Sequence, residues 1–67
     1  MNITVTDMYR VCNKYDFFTH GSNYQYNKLF DVVREDSADL TKIATIIWIC
    51  SEQSYEEVYN TLVKEFC

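Results

Sequence analysis

The stretch Leu40–Cys50, LTKIATIIWIC, is the most apolar run of the chain, and its reading decides the fold. At about 100° of turn per residue, Leu40, Ile43, Ala44, Ile47 and Cys50 share one helical face, with Lys42 and Thr45 opposite. Ile46, Trp48 and Ile49 interrupt the polar side, so the second half is apolar nearly all round, as in a helix at the centre of a bundle. A strand would also suit Ile and Trp. The run is long, however, it lacks strict alternation, and Ser37 stands before it as an N-cap. A helix is therefore expected over about 38–50.

On the C-terminal side, SEQS makes a turn, and Ser54 with Glu57 forms a capping box. Tyr55, Val58, Tyr59, Leu62, Val63 and Phe66 then repeat on one face of a helix over about 55–66, with Glu56, Glu57, Asn60, Thr61 and Lys64 outside. On the N-terminal side, the acidic turn EDSAD is preceded by a helix over about 23–35. Ser22 and Gln25 cap that helix; Tyr26, Leu29, Phe30 and Val33 face inward, and Tyr24, Lys28, Asp31 and Glu35 outward. Thr4 with Asp7 opens a first helix over about 5–16, whose inner face is Val5, Met8, Val11, Cys12 and Tyr15. FFTHGSN connects it to the second, with Phe17 and Phe18 as plugs at one end of the core. The expectation is an all-α fold, a small compact bundle of four short helices forming one domain over residues 1–67.

Sixty-seven residues bury only about 60% of the surface the unfolded chain exposes, so the margin of stability is small and large side chains must supply it. Six Tyr, four Phe and one Trp do so from few positions. No apolar run approaches a bilayer-spanning length, and MNITVTDMYR lacks the basic-then-apolar order of a signal peptide; a cytoplasmic protein is expected. Cys12, Cys50 and Cys67 are too scattered for a metal-ligand pair, and the first two sit on apolar faces as buried thiols.

Chemistry finds little purchase. The single His20 lies in a turn with no nucleophile and orienting group beside it. Asp31 and Glu35 stand four apart on an exposed face without a cleft to desolvate them. Gly-rich phosphate loops, H-E-x-x-H and EF-hand loops are missing, so neither catalysis, nor a cofactor, nor a metal is expected. Ile43-Ala44, Ile47 and the helix after them echo a helix-turn-helix. Trp48, Ile49 and Cys50 prolong the first helix where the turn should come, and the second carries Glu56 and Glu57 with only Lys64 to meet phosphate.

Partner binding remains, and charge gives it a direction. Residues 1–30 hold three basic against two acidic side chains, residues 31–67 three against eight, so the negative charge lies in the second half. Such a surface repels phosphate backbones and attracts a basic one. Tyr24 and the carboxylates Asp31, Glu35, Glu56 and Glu57 are the expected contacts, with Trp48 and Ile49 as an apolar patch wherever neighbouring helices leave them uncovered. The rival placement buries both in internal packing. A helix-turn-helix-like DNA-binding regulator, and a homodimer completed by Trp48 and Ile49, are the alternatives.

At CNKYDFFTHGSNYQYNKLF and again at IATIIWICSE, the sequence resembles short, mostly uncharacterised proteins encoded by phages and mobile elements of Gram-positive bacteria with AT-rich genomes. That group includes small acidic anti-CRISPR proteins, which bind an effector nuclease, sometimes in its nucleic-acid groove. The resemblance implies an inhibitor of a host nucleic-acid-processing protein, and no catalytic residue.

Overall fold

The computed structural model describes residues 2–17 and 23–67, which form four helices: α1 Val5–Tyr15, α2 Asn23–Glu35, α3 Leu40–Cys50 and α4 Tyr55–Phe66. No strand occurs among the described residues. Short polar side chains set the starts. Thr4 Oγ1 accepts the Asp7 N–H at 3.0 Å, and Ser54 Oγ accepts the Glu57 N–H at 3.2 Å, so each satisfies a donor that the helix leaves unpaired. The expected Ser22 cap lies outside the described residues.

Two boundaries differ from the expectation. The helix placed at 38–50 begins at Leu40, because Asp39 and not Ser37 is its cap: Asp39 Oδ1 accepts the Lys42 N–H at 3.1 Å. The Ser37 hydroxyl instead lies 3.5 Å from Asn2 Oδ1. Of the two, Asp39 stands immediately before the periodic apolar residues, and its charge also complements the positive helix end. The helix placed at 5–16 ends at Tyr15, since Asp16 takes left-handed angles (φ 51°, ψ 48°) and returns its N–H to the Cys12 carbonyl. Glycine is the usual residue there, and aspartate is among the few others that visit this region.

Helices that follow one another in the chain pack together, with α3 against both α2 and α4 and α1 against α2. Met8, Val11, Leu29, Ile43, Ile47, Val58 and Leu62 are fully enclosed, and no polar or charged residue is buried among the described residues. Phe17 is buried and stacks on Tyr15 at 5.6 Å, as a plug should; Phe18 lies outside the described residues. Ile3, ahead of the first cap, also enters the core at 2% exposure.

One carboxylate ties the ends of the chain together. Glu65 on α4 accepts the Tyr15 hydroxyl at 2.6 Å and the Lys14 ammonium at 3.2 Å, and Arg10 Nη1 lies 3.5 Å away. Its side chain is only 10% exposed, so three donors of α1 converge on a largely covered acceptor. These bonds hold Glu65 below the usual carboxylate range and raise Tyr15 and Lys14, because each partner is favoured in the protonation state that keeps the contact.

Candidate partner-binding surface

With the core closed, the functional question concerns what the helices leave outside. The large apolar side chains most open to solvent are Tyr9, Tyr24, Trp48 and Ile49, at 56%, 67%, 45% and 64% exposure. Trp48 and Ile49 are therefore not internal packing. One step of 100° along α3 also sends them to different sides, Trp48 towards α4 and Ile49 towards α2.

On the α4 side the Trp48 ring meets Tyr55 edge-on at 6.0 Å and 88°, and Tyr55 stacks on Tyr59 at 6.0 Å and 19°. These geometries suit the ring quadrupoles and lock the three side chains into a ladder along the α3–α4 seam. Helical spacing makes the ladder: Tyr55 and Tyr59 are one turn apart, and the short turn after Cys50 leaves Trp48, near the end of α3, beside the start of α4. Beyond Tyr59 the seam opens into a groove of about 630 Å³ floored by Leu40, Val63 and Cys67, with Asp36 and Asp39 at its rim. Glu56 is exposed beside the other end of the ladder, on the side of α4 that carries Tyr59 and Val63. Lys42 Nζ lies 4.0 Å from Asp36 and 3.9 Å from Asp39, which offsets part of the charge at the groove.

The remaining expected contacts are scattered. Glu57 stands a further 100° round α4 and accepts the Ser54 hydroxyl at 3.3 Å. Asp31 pairs with Arg34 at 3.0 Å on the outside of α2, and Glu35 is exposed at the end of that helix. Tyr24 is exposed at the start of α2, across α3 from the ladder, and its loop neighbours His20 and Ser22 lie outside the described residues. The seam thus gathers Trp48 and Glu56 from the expected set, and adds Tyr55, Tyr59, Asp36 and Asp39. Tyr55 and Tyr59, which the spacing places on the inner face of α4, are half-buried: they pack against the core and keep part of each ring outside. Exposed Tyr9, 6.3 Å from Phe30, was also missed, although its place beside rather than within the apolar stripe of α1 marks it.

Two of the three thiols are buried. Burial pushes the Cys12 thiol up to about 12 and also raises Cys50, so neither supplies thiolate near neutrality. No cluster of three His, Cys, Asp or Glu side chains suited to a metal ion occurs among the described residues. Nor, among them, is any helix long and apolar enough to cross a membrane. No family model, curated protein or solved structure matches this chain.

Proposed function

We propose that the chain is a non-catalytic protein-binding module, acting in the cytoplasm, whose α3–α4 seam receives a partner presenting basic side chains. One observation carries this reading: the ladder Trp48–Tyr55–Tyr59 has an exposed tryptophan and two half-exposed tyrosines, with carboxylates at both ends. Aromatic faces accept guanidinium groups, and flanking carboxylates pair with the same cations, so the seam offers arginine and lysine side chains two kinds of contact together. Trp and Tyr are also the side chains that most often dominate binding energy at interfaces. The resemblance to phage and mobile-element proteins specifies the partner class as a host nucleic-acid-processing protein with a basic groove, inhibited in the manner of anti-CRISPR proteins. Carboxylates along the seam oppose direct binding to a phosphate backbone.

The test is affinity capture from host lysate at moderate salt with the wild-type chain, Trp48→Ala, Glu56→Lys and Glu57→Lys. A basic protein retained in stoichiometric amount by wild type and Glu57→Lys, and lost with the other two, is the expected result. Equal capture by all four, or retention of nuclease-sensitive DNA alone, refutes the reading.

A further inference from the structure

The α2–α3 side of the molecule carries a second surface of different character. Between the two helices lies an open groove of about 350 Å³ with Val32, Ile46 and Ile49 as its apolar part, Thr45 among them, and Lys28 and Lys42 at its margins. Ile49 projects beside the groove at 64% exposure. The polar atoms here are already engaged: the Thr45 hydroxyl donates to the Thr41 carbonyl at 2.8 Å, and Lys42 lies against Asp36 and Asp39. Covering the face at Thr45 therefore strands no donor of α3.

Two charges are the exception, and they identify what fits. Lys28 and Glu35 lie seven residues apart on one stripe of α2, about 10 Å along the axis, with Val32 between them. Neither has an ion-pair partner among the described residues. A surface with a positive end, an apolar middle and a negative end complements itself when a second copy is laid on it antiparallel, because Lys28 of each then meets Glu35 of the other. The apolar side chains Val32, Ile46 and Ile49 lie on that same face and would be covered in the same interface. An interface of ordinary size takes about 800 Å² from each partner. That is roughly a fifth of the 4175 Å² of this chain, and fits one broad face of a body 27 × 23 × 19 Å.

We propose that the α2–α3 face is a homodimer interface, in which a second copy packs antiparallel through Val32, Ile46 and Ile49 and closes reciprocal Lys28–Glu35 ion pairs. It lies across α3 from the aromatic seam and does not depend on that seam's function. A dimer leaves both seams open and doubles their valency.

Sedimentation equilibrium of the full chain, under reducing conditions so that no Cys67 disulfide contributes, reads the outcome. Wild type should move from 8.0 kDa towards twice that mass between low micromolar and millimolar concentration. Ile49→Glu, whose exposed site leaves the helices intact by circular dichroism, should raise the dissociation constant by about tenfold or more, as removal of a central apolar contact does. Lys28→Glu and Glu35→Lys should each weaken the dimer, and their combination should restore it, since the exchanged charges again meet their opposites. A chain that stays at 8.0 kDa throughout overturns the proposal, as does a dimer indifferent to Ile49→Glu. Failure of the double exchange to recover association overturns the antiparallel arrangement. A monomer whose α2–α3 face is covered by a different protein in the captured complex overturns the second copy as occupant.

Discussion

Two isoleucines, two positions apart on α3, should respond very unequally to the same truncation. Ile47 is fully enclosed, and Ile49 is 64% exposed. Ile47→Ala removes three buried carbons, each worth about 0.8 kcal/mol of transfer free energy, and leaves a cavity that α2 and α4 fill only partly, for a total of about 3–4 kcal/mol. A chain of 67 residues has about 3–10 kcal/mol of stability in all, so this one change removes from a third to the whole of it. The entropy of unfolding at this size is about 0.14 kcal/mol per degree, and the midpoint should fall by about 20–30 °C. Ile49→Ala should stay within about 0.5 kcal/mol of wild type when measured on the monomer. Urea titration followed by far-UV circular dichroism, at concentrations below dimerisation, separates the two. Equal losses, or a cost below about 1 kcal/mol at Ile47, would refute the assignment of Ile47 to the core and of Ile49 to the surface.

Other outcomes follow from single contacts. Asp39→Ala should cost about 1 kcal/mol in the same titration, and Ser37→Ala clearly less, because only Asp39 caps α3. Glu65 is held low, so its contribution to stability is present above the ordinary carboxylate range and is lost as pH falls through its lowered value. Tyr15 and Lys14 are raised, so theirs is present below about pH 10 and is lost as pH rises through their elevated values. Thermal melts across pH should therefore show a plateau that Glu65→Gln lowers and flattens on both sides. With a thiol reagent at neutral pH, exposed Cys67 should react at once, and Cys12 and Cys50 only at the rate of unfolding.

Most of the fold was legible because its signals are local. Apolar spacing, with Thr4 and Ser54 at the starts, specifies each helix within a dozen residues, and α2 and α4 have the bounds the spacing predicts. The start of α3 was less so, since EDSAD offers two caps, and Asp39, next to the first apolar residue of the repeat, holds the place over Ser37. The end of α1 was not, because a left-handed aspartate leaves no mark comparable to glycine. The candidate surface was half visible. Trp48 and Glu56 stand out by residue type, but Tyr55 and Tyr59 look like core in any helical projection, and only the hairpin's packing brings a tryptophan over them. That Trp48 and Ile49 serve different faces depends on which neighbour lies on each side of α3, a matter of handedness that short loops leave open.

The Glu65 contacts also bear on the order in which the molecule assembles. The hairpins α1–α2, α2–α3 and α3–α4 join neighbours in the chain, whereas Lys14 and Tyr15 reach Glu65 across 51 and 50 residues. Nearby segments find one another first, because closing a long loop costs more entropy before any contact rewards it. The clasp between first and last helices should therefore form after the folding barrier has been crossed, and break early when the protein opens. Weakening it should quicken unfolding and leave the folding rate nearly unchanged. Glu65 thus acts as a latch on the lifetime of the native state and not as a guide to reaching it.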